Sequence, residues 1–268
     1  SLGAMEIQDD FDPALGFVPR AGIRRYDGGV EYQPRPGWSG VRQLEFGVAS
    51  EVFTDTDGEL ETWNTEVQPF GVFFESGDGA RVEVEHTRDE LFSDFEIADG
   101  VLIPAGVYEF TAGRIEFETA EKRPLSAFTA LTAGDFFDGE RTSWELGATW
   151  HPSALFLGSA FYERNDVRLE GGDFETQLAQ LRANFSFTPE LSWNSFLQWD
   201  TESDTLGVQT RLRWIPVPEQ EIFLVFNETL ESDRPGSAPL SEELVTIEVV
   251  EVVVLDNIVA AVDAMAAR

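Results

Sequence analysis

The chain contains no cysteine in its 268 residues. That excludes a disulfide framework, a thiolate zinc site and a cysteine nucleophile. It has two histidines, His86 and His151, too few for a multi-histidine metal site. Positive charge is scarce. Lys122 is the only lysine, and 18 Lys plus Arg stand against 50 Asp plus Glu, a formal net charge of −32. Such a surface repels phosphate backbones, so nucleic acid is excluded as a partner. The acidic, lysine-poor balance fits a halophilic protein, whose self-repulsion is screened by salt, and equally fits the bias of a GC-rich genome. No run reaches the roughly 18 apolar residues of a membrane helix. The opening Ser1–Met5 reads as a vector-derived remnant, so the missing leader peptide leaves the native location open. A Gly-x-Ser-x-Gly elbow, a phosphate loop and a dinucleotide fingerprint are all missing too.

What is present is alternation. From Ser143 to Trp150, Trp144, Leu146, Ala148 and Trp150 fall on one side, and Ser143, Glu145, Gly147 and Thr149 on the other. Successive strand side chains point to opposite faces, so this is a strand with one dry and one wet face. The pattern recurs through Phe226, and turn residues such as Asp57-Gly58, Asp78-Gly79 and Asp138-Gly139 separate the runs. The expected fold is all-β: an antiparallel meander barrel of about twelve strands with a short C-terminal helix. Residues 1–40 read as an irregular segment with a short strand near Ile23–Tyr26, 41–255 as the barrel, and 256–268 as the helix. Connections near 76–79, 151–153, 188–190 and 216–220 are expected to be short. Those near 88–106, 137–141, 165–172 and 229–243 are expected to be mostly longer, the rim asymmetry of an outer-membrane barrel.

Alternation does not say which face meets what. If the apolar face meets lipid, the polar face lines a lumen; if it points inward, the protein is a soluble ligand-binding barrel. Trp193 and Trp199 share a face six residues apart, roughly 20 Å along a strand, as do Trp144 and Trp150, which fits an aromatic girdle. Arg182, Arg211 and Arg213 fall on the polar face and, with Glu145, Glu175 and Asp200, are expected to line a lumen. Trp193 and Trp199 are the matching ligand candidates. Asp55, Asp57 and Glu59 form an acidic loop with oxygen ligands at alternate positions, a calcium candidate and the only cofactor implied. Glu145, Glu163, Glu175 and Asp200 are the carboxylates from which a sugar-cleaving pair would have to come.

Several ordered segments carry a family resemblance: Gly16-Phe17-Val18-Pro19-Arg20, Ile103-Pro104-Ala105-Gly106-Val107-Tyr108, Gly134-Asp135-Phe136-Phe137-Asp138-Gly139, Leu181 to Pro189, Arg211-Leu212-Arg213-Trp214 and Phe223-Leu224-Val225-Phe226-Asn227. Over roughly residues 11–230 the chain resembles the uncharacterised C-terminal domain that follows a family-9-like carbohydrate-binding module in bacterial surface proteins. The resemblance implies an outer-membrane barrel of unknown activity. Its motifs are strand-and-turn patterns, so it assigns no catalytic residue. The carbohydrate-binding module is absent here. The end also departs from the pattern, running through Val249–Leu255 into a small-residue tail where such barrels finish on an aromatic strand.

The leading expectation is therefore a non-enzymatic outer-membrane-type barrel domain of a carbohydrate-linked bacterial surface protein, located in the outer membrane or cell envelope, with lipid or detergent as partner. The alternatives are a soluble barrel that binds an apolar ligand or glycan, and a carbohydrate-active hydrolase using paired carboxylates.

Overall fold

The computed structural model describes residues 1–11, 20–218, 220–231 and 252–253. The described residues are all-β. The strands are β1 (Leu2–Ile7), β2 (Ile23–Tyr32), β3 (Val41–Asp55), β4 (Leu60–Phe74), β5 (Gly79–Leu91), β6 (Phe95–Ala98), β7 (Val101–Ile103), β8 (Gly106–Glu118), β9 (Leu125–Phe136), β10 (Gly139–Ser153), β11 (Phe156–Leu169), β12 (Gly172–Thr188), β13 (Leu191–Asp200), β14 (Thr205–Val217), β15 (Gln220–Glu231) and β16 (Val252–Val253). All but β6 and β7 follow one another in a single fourteen-stranded sheet, and β5 pairs directly with β8. β6 and β7 form a separate hairpin.

The antiparallel meander expected from the sequence is the observed topology. The closed barrel expected from the sequence is not seen: among the described residues no ladder joins β1 to the last strands. Residues 1–40 hold β1 and β2, in full register from Leu2↔Gly28 to Ile7↔Ile23. Their Gly and charged residues had hidden the strand pattern. The expected long connections near 137–141 and 165–172 are two-residue turns, at 137–138 and 170–171, because the flanking strands run further than the alternation implied. The expected C-terminal helix lies outside the described residues, as does most of the strand expected at 244–255.

The contacts divide the chain into two compact units. One holds Ser1–Ala120, Phe128–Glu145 and Arg164–Glu175; the other holds Glu121–Ala127, Leu146–Glu163 and Thr176–Arg268. In the first unit, a bulge between Val67 and Phe70 resets the parity of β4. Trp63 and Val67 precede it at odd positions; Phe70, Val72 and Phe74 follow at even ones, yet all five lie on one face. Pro69 sits inside the bulge, where a missing N–H breaks no ladder bond. The turn glycines have different reasons. Gly58 has φ +96°, which only glycine adopts without strain. Gly139 does not; the left-handed residue of that turn is Phe137 at φ +49°. A Cβ on Gly139 would overlap the Arg168 carbonyl, so the close approach of β11 excludes any side chain there.

The most deeply buried apolar cluster also lies in the first unit. Val101 and Ile103 of the β6–β7 hairpin pack with Val167 and Leu169 of β11, flanked by Leu91, Phe136, Phe137 and Phe174. Ile103 is fully buried. Asp94 Oδ1 accepts the Ala105 N–H at 2.9 Å and Tyr108 Oη donates to the Pro104 carbonyl at 2.8 Å, closing the base of the excursion. The segment 88–106, expected as a long loop, is thus an anchored hairpin. Its strands, of four and three residues, are too short to show a period.

Candidate functional site

The first unit presents two faces, and at several neighbouring positions their exposure is reversed from that of a water-soluble sheet. In the first unit, Ile115 is 45% exposed and Phe117 55%, whereas Glu116 between them is 8%. Likewise Trp144 is 48% exposed while the adjacent Ser143 is 6%. At these positions the apolar residues look outward and the polar ones beside them are covered.

The register shows how far the apolar face extends. One row across β3, β4, β5 and β8 is polar: Ser50, Thr65, His86 and Thr111. Ser50 and Thr65 hydroxyls lie 2.9 Å apart, His86 Nδ1 lies 2.9 Å from Thr111 Oγ1, and Trp63 Nε1 donates to Ser50 Oγ at 2.9 Å. His86 is also edge-on to Trp63, a half-exposed histidine with partners. The next rows toward the 75–78 turn are uninterrupted. Val30, Val48, Val67, Val84, Gly113 and Ala133 form the first. Phe70, Val82, Ile115 and Leu131 form the second, and Leu44, Val72, Ala80, Phe117 and Thr129 the third. None of these positions is charged. Trp63 and Phe74 stand at opposite ends of β4. Their separation is about 36 Å along an extended strand, which a tilt of about 40° reduces to roughly 28 Å, close to the height of a bilayer-facing band.

The covered face of the same unit is an ion-pair lattice. Arg114 reaches Glu145 through both amino groups, one at 3.1 Å, and Glu116 at 3.0 Å. Arg81 binds Glu116 and lies 3.3 Å from Glu83. Arg25 pairs with Glu51. Ser143 Oγ donates to Asn165 Oδ1. Glu116 is held between two guanidiniums, which compensates the cost of covering its charge.

In the second unit the apolar face gathers aromatics where β10–β14 meet their short turns. Trp150 is edge-on to Phe156 at 5.3 Å; Phe156 lies 4.7 Å from Phe185, which stacks on Trp193 at 5.3 Å and on Phe187 at 5.7 Å. Trp150, Trp193 and Trp214 are 52%, 40% and 48% exposed. Indoles in such positions have one end suited to hydrocarbon and one to water.

The expected site residues are dispersed. Glu145 lies in the first unit, on Arg114. In the second, Arg182 stacks over Phe196 at 5.0 Å and Arg211 over Phe223 at 4.1 Å, while Arg213 pairs with Glu221. Asp200 Oδ1 accepts the Ser203 N–H at 2.7 Å and organises the turn after β13. Trp193 Nε1 donates to Thr210 Oγ1 at 2.6 Å; Trp199 faces Leu206 and Ala179 in register. Glu175 pairs with Arg164 at 2.6 Å. Asp55 Oδ1 accepts the N–H groups of Asp57 at 2.9 Å and Glu59 at 2.7 Å, the geometry of a turn-forming aspartate. Among the described residues no three His, Cys, Asp or Glu side chains gather as a metal-holding group, the 55–59 loop included. Arg114, the centre of the ion-pair lattice, was missed. Its signal was the charged parity of Glu83, Arg114 and Glu116 against apolar neighbours on both strands.

No family model matches this chain, and no curated protein matches it.

Proposed function

We propose that this chain is the membrane-spanning part of a non-enzymatic, outer-membrane-type surface protein, its apolar face against lipid and its charged face lining an aqueous interior. The observation that carries this reading is the exposure reversal: bare Trp144, Ile115 and Phe117 beside covered Ser143 and Glu116. In water such a face would leave large apolar side chains solvated while charges were buried, against the usual distribution. In hydrocarbon both placements are favourable. The rim aromatics and the uncharged rows support the same assignment.

The reading carries a requirement. Lipid satisfies no backbone group, so a sheet in a bilayer has no unpaired edge. Among the described residues β1 is paired on one side only, by β2. Closure into a barrel, by pairing of this edge, is therefore part of the proposal. So is the placement in a carbohydrate-linked envelope protein, which rests on the resemblance of residues 11–230.

Detergent dependence tests the reading. The full chain is expected to aggregate in plain high-salt buffer and to become monomeric and strand-rich in micelles. It is then expected to insert into short-chain phosphatidylcholine vesicles. A folded monomer in detergent-free, high-salt buffer overturns the proposal and favours a soluble sheet.

A further inference from the structure

The second unit's polar face breaks the charge rule of the chain. Acidic residues outnumber basic ones, 50 to 18, and the polar face of the first unit follows suit with Glu45, Glu51, Glu66, Glu83 and Glu116. Yet across β12–β15, from the row of Gln180 and Gln198 to the row of Ser186 and Ser192, the polar-parity positions hold Arg182, Arg211 and Arg213 and no Asp or Glu. Arg213 is taken by Glu221. Neither Arg182 nor Arg211 forms a contact ion pair among the described residues, although Arg211 lies within electrostatic reach of Glu221. Each instead lays its guanidinium over a phenyl ring, Phe196 and Phe223.

Stacking uses the flat side of a guanidinium and leaves its in-plane N–H donors available. Both arginines are exposed. They stand two strands and one register row apart, about 12 Å between backbones from ordinary sheet spacings. Between them lie side-chain amides: Asn184 and Asn194, paired in register with each other and in line with Arg211, and Gln209, in line with Arg182. Amides both donate and accept, which matches hydroxyl groups; free guanidinium edges match carboxylates bidentately.

We infer that this strip of β12–β14 binds a hydroxylated organic anion, specifically an acidic sugar oligomer whose carboxylates meet Arg182 and Arg211 and whose hydroxyls meet the intervening amides. The inference stands on the polar face alone and does not require the bilayer.

The test is calorimetric titration of the full chain in micelles with trigalacturonate, with its uncharged methyl ester, and with tricarballylate, a carboxylate of similar charge lacking hydroxyls. Trigalacturonate is expected to bind with an affinity that falls as salt rises. The ester and tricarballylate are expected to bind at least tenfold more weakly. Arg182→Gln and Arg211→Gln are each expected to weaken trigalacturonate about tenfold or more, as loss of a charge-assisted hydrogen-bonding group does. Arg164→Gln, outside the strip, leaves it unchanged. Absence of trigalacturonate binding, or equal binding of the ester, overturns the inference; equal binding of tricarballylate overturns the sugar assignment. The ligand comparison uses the unsubstituted protein, so a variant that fails to fold does not decide the result. Failure of membrane insertion with binding intact would sink only the preceding reading.

Discussion

Ile115→Arg puts the lipid assignment of the apolar face at risk directly. Ile115 lies opposite Val82 and Leu131, in an uncharged row of the first unit, and is 45% exposed. Four residues separate it from Thr111 in the polar row. That is about 13 Å along the strand, or about 10 Å in depth at a tilt near 40°, close to the middle of a band about 25 Å tall. A guanidinium there costs roughly 2–4 kcal/mol, which lowers the folding equilibrium constant some thirtyfold to nearly a thousandfold. In water the same substitution, at a site already half exposed and holding no hydrogen bond, is worth less than about 0.5 kcal/mol. The assay is urea unfolding from phosphatidylcholine vesicles, followed by tryptophan emission, for the parent chain, Ile115→Arg and Glu85→Arg. Glu85 lies on the charged face, is exposed, and accepts one hydrogen bond from Asn64 Nδ2 at 2.7 Å, so its variant is expected to lose no more than about 1 kcal/mol. Equal stabilities for the parent and Ile115→Arg in vesicles would refute the reasoning, whatever the protein does in detergent.

Other outcomes follow from local packing. Ile103→Ala, at the fully buried centre of the β6–β7 anchor, is expected to destabilise the first unit by about 2–5 kcal/mol in equilibrium unfolding; a change below 1 kcal/mol would show that the hairpin is not held by that contact. Gly139→Ala forces a methyl against the Arg168 carbonyl and is expected to cost about 1–3 kcal/mol. Gly58→Ala meets open space at φ +96° and costs only backbone strain, about 1 kcal/mol, so the two midpoints should differ. Trp193→Phe keeps the stack on Phe185 but deletes the donor to Thr210; a loss of about 1 kcal/mol, without change in aromatic circular dichroism from Phe185, is expected.

Strand identity was legible wherever one face is uniformly apolar for six residues or more. β10 contains the Ser143–Trp150 alternation and runs four residues before it and three beyond. Legibility failed for β1 and held for only the start of β2, the strand expected near Ile23–Tyr26, because Gly3, Gly28 and Gly29 replace side chains that would have marked a face. It failed too for β6 and β7, whose shortness leaves no period. That second failure had a consequence for the site. β8 sits beside β5 only because the hairpin between them leaves the sheet, so the pairing of Arg81 with Glu116 and of Glu83 with Arg114 depends on a skip the sequence does not announce. Glu145 was singled out without its partner Arg114, which lies two strands away on β8, across β9. The arginines of β12 and β14 were named correctly as polar-face residues; the lack of a contact ion pair at Arg182 and Arg211 is a property of the register.

The meander has a consequence for how the polypeptide reaches its native state. From β2 to β15, every ladder described apart from β5 with β8 joins strands consecutive in the chain, and even that exception is bridged by a short, self-contained hairpin. Loop closures are thus small for an all-β protein, and topology of this kind favours rapid formation. Each new ribbon can zip onto the one before it as the polypeptide is delivered, with no need for distant segments to meet first.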